Sequence, residues 1–161
     1  MEADALNSLA RYGREGLRAL LKSKKCDVIF TPHVKEFSRL FGWEMEEVFE
    51  KGLSAAKEVS SQYGVNVLLK SAVSVLSDGA RVCVNTAGCS GQAKAGSGDV
   101  LSGVIAGLCA MGLSTFDGGM LGAYLVGKSA ELASEKVGEY SLTASELVAY
   151  MGGAFSSLTV D

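Results

Sequence analysis

Two short apolar runs, Val28 to Phe30 and Val65 to Leu69, alternate with stretches of helical periodicity, and this alternation limits the fold more than any other feature. Leu17, Leu20 and Leu21 recur at helical spacing ahead of the first run, which Thr31 and Pro32 end. Phe37, Leu40 and Phe41 then mark a short helix closed by Gly42. Met45, Val48, Phe49, Leu53, Ala56 and Val59 follow at three- and four-residue steps, which predicts a long amphipathic helix to about Gln62 with Gly64 as its stop. Continuous apolar runs between helices are the pattern of strands buried on both faces, so a layered α/β architecture with a mostly parallel sheet is expected. Val73 to Leu76 and Arg81 to Val84, separated by Ser77-Asp78-Gly79, add a hairpin and make the sheet mixed. Helical patterns return at Val100 to Gly112 and at Met120 to Lys136. Thr143 with Glu146 makes a capping box that opens a last helix to about Tyr150.

These strands are few for a sheet that must bury both faces. The 161 residues therefore read as one domain, 1–161, that is incomplete on its amino-terminal side and that pairs with another copy or with a complementary amino-terminal segment. An apolar content of 48% is ample for a core, while a net charge of −3 without a basic stripe argues against a nucleic-acid partner. No stretch approaches about 20 uninterrupted apolar residues, so no membrane span is expected. Met1 is followed by acidic Glu2 and Asp4 with no apolar leader, which points to the cytoplasm. Cys26, Cys83, Cys89 and Cys109 form no CxxC pair and read as free thiols, so no metal site is expected.

Between Asn85 and Gly98 the chain becomes polar and rich in small residues, and the run Ala95-Gly96-Ser97-Gly98-Asp99-Val100 leads straight into a helix. Backbone N–H groups at such a corner can converge on an anion, and the helix dipole adds partial positive charge. Glycine suits the corner because a Cβ would hold ligand oxygens off the backbone. Asp99 in the first turn can orient or deprotonate a hydroxyl attacking phosphorus; equally, Ser97 or Asp99 can serve only as a helix cap. No Lys-Ser or Lys-Thr follows the glycines, so this is not a Walker loop.

The longer stretch from Asn85 to Gly103 resembles the signature of ADP-dependent NAD(P)H-hydrate dehydratases, a ribokinase-like family. Ala3-Asp4-Ala5-Leu6-Asn7, Thr31-Pro32-His33 with Glu36, Val67-Leu68-Leu69-Lys70 and Leu142-Thr143-Ala144-Ser145 resemble further segments of that family in order and spacing. Departures fall at Val34 and Lys35, Ser71, Cys89 and Ser90, at Lys94, where the family usually has Thr, and at Val126, where it usually has His. The resemblance implies a ribokinase-like fold and a lyase that repairs hydrated NADH or NADPH, with a truncated, non-catalytic nucleotide-binding relative and a small-molecule kinase of the same superfamily as the alternatives. ADP or ATP is the implied phosphoryl donor, with Mg as an optional companion. By the same resemblance Asp99 is catalytic and contacts substrate, and His33 contacts the hydrated dinucleotide. Lys70, Ser71, Ala72, Val73 and Ser74, with Gly96, Ser97 and Gly98, are implied to bind the nucleotide.

Overall fold

The computed structural model describes residues 1–158 and divides into two compact units, Met1–Val84 and the chain from Asn85 onward. In the first unit, helices α1 (Asp4–Ala10) and α2 (Gly13–Lys22) precede strand β1 (Ile29–Phe30). Helices α3 (Val34–Phe41) and α4 (Met45–Tyr63) then lead to β2 (Asn66–Leu69), β3 (Ser74–Ser77) and β4 (Val82–Asn85). The sheet order is β1-β2-β3-β4. β1 runs parallel to β2, with Phe30 opposite Val67, and β3 runs antiparallel to β2, with Leu68 opposite Leu76. The sheet is therefore mixed, because a short turn can join only antiparallel neighbours while the long connection through α3 and α4 makes β1 and β2 parallel. At the β3–β4 turn Asp78 Oδ1 accepts the N–H groups of Ala80 and Arg81 at 2.9 and 2.7 Å, and Gly79 takes a φ of +94° that a side chain would resist.

α3 and α4 form where the periodicity placed them, and both end on glycines in the left-handed conformation, Gly42 and Gly64. Their buried faces close a core around Phe30, Phe37, Phe41, Val48, Val59, Tyr63, Val67 and Leu69. Phe37 and Phe41 meet edge to face at 5.0 Å between centroids, and Phe41 lies 5.3 Å from Tyr63. The amphipathic face of α4 departs from expectation in its first half. Met45, Phe49 and Leu53 are 38%, 68% and 50% exposed, because the backbone leaves helical geometry at Lys51 and the buried face beyond it passes to Ala55, Ala56 and Val59. At the outer edge of β1 the Met1 amine donates to Ile29 O at 2.8 Å, and Thr31 N–H donates to Met1 O at 3.0 Å. Met1 is thus paired in parallel opposite Phe30.

The second unit is helical. A loop with a single 3₁₀ turn at Ser90–Gln92 precedes α5 (Ser97–Ala110) and α6 (Thr115–Val137). A second 3₁₀ turn at Glu139–Ser141 precedes α7 (Ala144–Ala149) and α8 (Met151–Ser156). α6 is the central element, packed by α5, α7 and α8. It starts five residues before the expected Met120, with Ser114 Oγ accepting Asp117 N–H at 3.1 Å as its cap. The glycines of its first turns look like breakers in sequence but are buried contact points. A Cβ on Gly118 would lie 2.9 Å from Cys109 Sγ, and one on Gly122 would lie 2.7 Å from Ile105 Cγ1. Close packing against α5, which the sequence does not display locally, outweighs the low helix propensity of glycine here.

Candidate functional site

In the first unit the candidate residues gather at the carboxyl ends of two parallel strands, where ligands of α/β sheets commonly bind. The chain leaving β1 passes through Thr31 and Pro32 to His33, which caps α3; the chain leaving β2 reaches Lys70. His33 and Lys70 form a further parallel bridge, and Lys70 N–H donates to Pro32 O at 2.8 Å. The His33 side chain is held on one edge. Its Nδ1 accepts Glu36 N–H at 3.1 Å while Glu36 Oε2 accepts His33 N–H at 2.9 Å, a complete capping box. Because Nδ1 is an acceptor, the neutral imidazole carries its proton on Nε2, 3.4 Å from Glu36 Oε1. The imidazole is half exposed at 52% while Glu36 is buried, so the ring keeps an open face on a fixed support.

Lys70 is paired with Glu2, and this contact ties the residue after Met1 to the end of β2. Beyond it Ser71, Ala72 and Val73 form an exposed turn in which Ser71 Oγ donates to Val73 O at 2.6 Å, and Ser74 begins β3. The turn is open to a ligand, and its backbone is shaped by a serine rather than by a glycine.

In the second unit the loop before α5 is fastened along its length. Asn85 Nδ2 donates to Ala87 O at 3.1 Å and to Ala123 O at 3.3 Å. Gly88 N–H donates to Glu131 Oε1 at 2.8 Å, and Cys89 N–H donates to Gln92 Oε1 at 3.2 Å. The Gly88 N–H and the neighbouring Lys128 ammonium hold the Glu131 carboxyl below its ordinary value of 4.5. Ser90 Oγ donates to the Glu139 carboxylate, and a Cβ on Gly91 would stand 2.7 Å from Glu139 O, so the two 3₁₀ turns lie in close contact. The loop ends in a turn closed by Ser97 N–H to Lys94 O at 3.3 Å, and Gly96 takes φ +87° as the residue that caps α5.

The first turn of α5 excludes the simpler role left open for its polar residues. No side chain caps this helix. The Ser97 hydroxyl is buried with no hydrogen-bond partner, and the Asp99 side chain is exposed with no ion pair or hydrogen bond among the described residues. A buried hydroxyl without a partner costs about 1–3 kcal/mol, a cost that a ligand oxygen beside the loop would remove. The N–H groups at the head of a helix, a left-handed glycine, a free hydroxyl and a free carboxylate make a corner that suits a phosphate ester and a hydroxyl about to react with it. Among the described residues no group of three or more His, Cys, Asp or Glu side chains could hold a metal ion.

A family model described as NAD(P)H-hydrate dehydratase matches residues 1–151. The chain belongs to the NAD(P)H-hydrate dehydratase family. It is 34% identical over 163 aligned positions to a bifunctional NAD(P)H-hydrate repair enzyme of Thermofilum pendens, covering 100% of this chain and 30% of that one. It is 36% identical over 139 positions to an ADP-dependent (S)-NAD(P)H-hydrate dehydratase of Neisseria meningitidis, covering 86% of this chain and 46% of the relative. A crystal structure of the ADP/ATP-dependent NAD(P)H-hydrate dehydratase of Bacillus subtilis, co-crystallised with ATP and Mg2+ and soaked with CoA, superposes with a TM-score of 0.79 at 29% identity. It covers 83% of this chain and 50% of the other. The chain thus spans about half or less of the length of these relatives, and its fold is that of the ribokinase-like neighbours.

Several supporting residues had no separate signal in the sequence. Glu2, Glu131, Glu139 and Tyr140 act through partners more than 40 residues away, on Lys70, Gly88, Ser90 and Lys94 respectively. Glu36 entered the sequence reading only through the family-like segment it shares with Thr31 to His33, and its capping-box role is seen in the structure.

Proposed function

We propose that this chain supplies the nucleotide corner and the reacting carboxylate of an ADP- or ATP-dependent NAD(P)H-hydrate dehydratase. The observation that carries the reading is the head of α5, where Ser97 Oγ is buried without a partner and Asp99 caps nothing. The relatives named for ADP- and ATP-dependent dehydration of NAD(P)H hydrate support the substrate class. The nucleotide phosphates would lie on the N–H groups of Gly96 to Gly98, and Asp99 would take the proton of the hydrate hydroxyl as its oxygen bonds to the terminal phosphorus. The bond from that phosphorus to the leaving nucleotide breaks in the same step. Inorganic phosphate then departs with the carbon–oxygen electron pair, a proton leaves the adjacent ring carbon, and the reduced nicotinamide ring is restored. Asp99 touches the substrate in this scheme, and His33 offers Nε2–H to the hydrated dinucleotide from its fixed support. Lys70 to Ser74 would line the nucleotide, with the ammonium of Lys70 held in place by Glu2.

Magnesium, when it accompanies the nucleotide, would be carried by the phosphates with Asp99 the nearest acid in sequence, and it would neutralise phosphate charge. A cytoplasmic setting fits such a substrate. Completion of the sheet by a second copy or by an amino-terminal segment fits the open edge of β1 and the coverage of the relatives. The decisive experiment measures loss of NADHX and release of phosphate with ADP and with ATP, for the chain alone and with the amino-terminal half of a relative's domain added. Nucleotide-dependent turnover in either arm supports the reading. Nucleotide binding without turnover in both would leave a binding module in its place.

A further inference from the structure

The phosphate corner is built in an acidic part of the chain, which raises the question of what neutralises a bound nucleotide. From Asn85 to Leu158 the cationic side chains are Lys94, Lys128 and Lys136, against Asp99, Asp117, Glu131, Glu135, Glu139 and Glu146. Lys128 is already paired with Glu131 at 2.9 Å, and Lys136 lies in the last turn of α6. Lys94 stands on the loop itself. Its carbonyl accepts Ser97 N–H in the turn that delivers α5, its own N–H donates to Gln92 O at 2.7 Å, and two residues on is the left-handed Gly96.

The Lys94 ammonium donates to the backbone carbonyl of Tyr140. That partner is neutral, so it fixes the position of the ammonium without cancelling its charge, and it uses one of three donors. The segment that carries the carbonyl lies beside the same turn, since a Cβ on Gly96 would come within 3.0 Å of Ala144 Cβ. Glu146 feels the Lys94 charge, but its carboxylate is engaged by the hydroxyl and N–H of Thr143, and these bonds, ahead of Lys94, hold its carboxyl below the ordinary 4.5. An ammonium with donors to spare, carried by the turn that leads into the α5 N-terminus, is placed to meet an anion there.

We infer that Lys94 is a phosphate-binding residue of the nucleotide site, a cationic contact supplied by the turn that leads into α5. The inference rests on the nucleotide reading of the α5 corner. A purely structural role, clamping the 139–141 turn to the loop, would affect stability and every ligand alike. Phosphate binding would affect only ligands that carry phosphate, and it would do so in a salt-dependent way.

Titration calorimetry of the chain with ADP, pyrophosphate and adenosine at low and high salt separates these. Lys94→Gln is expected to weaken ADP and pyrophosphate about 5–20-fold at low salt, the span of a partly exposed charge-assisted hydrogen bond, and to flatten the salt dependence. Adenosine should bind unchanged and Lys94→Arg should stay close to wild type. Equal ADP affinity in wild type and Lys94→Gln, or an equal loss for adenosine, would overturn the inference and leave the nucleotide reading standing. If the wild-type chain binds neither ADP nor pyrophosphate, the nucleotide reading itself falls and the inference with it.

Discussion

Asp99 and Gly98 are adjacent in the chain and serve different ends, so substitutions at the two should separate chemistry from binding. Asp99→Asn keeps the shape of the side chain but removes the charge that orients or accepts a proton. In a turnover assay it should lose about 10²–10⁴-fold in rate with nucleotide affinity preserved. Affinity retained and turnover also retained would return Asp99 to a passive place on the helix. Gly98→Val acts on the ligand instead, because an isopropyl group beside the head of α5 takes the room that phosphate oxygens need. ADP affinity should fall while the variant stays folded, as titration calorimetry beside a circular-dichroism melt will show. Glu131 offers a test by pH. Its folded carboxyl titrates below 4.5 because Gly88 N–H and Lys128 favour the ionised form, so its contribution is fully present above the unfolded value and is lost as pH falls through the lower folded value. Glu131→Gln keeps an acceptor for Gly88 but has no such titration, so acid melts of the variant should decline less steeply below pH of about 4.5 than those of the wild type.

Elements show where sequence and structure agree and why they part. α3 and α4 were legible because their signals are local: apolar spacing and a terminal glycine. The head of α5 was legible for the same reason, since small residues before an apolar period mark a helix start. Against this, the expected helix began only at Met120, because Gly118 is a poor helix former taken alone and the approach of Cys109 from α5 that accommodates it is not visible in the sequence. The exposed stripe of Met45, Phe49 and Leu53 was read as core because period alone does not reveal a break at Lys51. Tertiary contact is the missing information in both cases. The contact between α6 and the loop gives a matched pair of tests. Gly127→Ala would set a Cβ 2.5 Å from the backbone oxygen of Ala87, an atom that can move only with the Asn85–Gly88 segment. A loss of about 1–3 kcal/mol in chemical denaturation is expected. Gly107→Ala on α5 meets nothing within 4 Å and should gain up to about 1 kcal/mol from helix propensity in the same measurement. If the two variants behaved alike, packing of α6 against the loop would not be what holds that segment.

On the scale of the whole molecule, the outer edge of β1 decides how the chain behaves in solution. Met1 occupies one position of a parallel ladder there, and the carbonyl of Ile29 that it bonds is on the outward side of the strand. Backbone groups of one residue point the same way in a strand, so the N–H of Ile29 faces outward too. Burial pulls the pKa of the Met1 amine at this edge below the ordinary 8.0. The edge is accompanied by an apolar stripe on α4 at Met45, Phe49 and Leu53, and such surfaces together favour association. The chain alone is therefore expected to self-associate at micromolar concentration in light scattering. Adding the amino-terminal half of a relative's domain should reduce that association and raise the melting temperature, because a strand that binds only the folded state stabilises it by mass action. The sign of the pH effect follows from the amine. A group whose folded pKa is depressed by burial and that is cationic when protonated destabilises the fold when charged, so the chain alone should gain stability as pH rises through the folded value towards 8.0. Replacing the amine with an acetylated one should abolish that gain. A stable monodisperse monomer whose melting temperature is indifferent both to acetylation and to the added half would show that this edge needs no further strand.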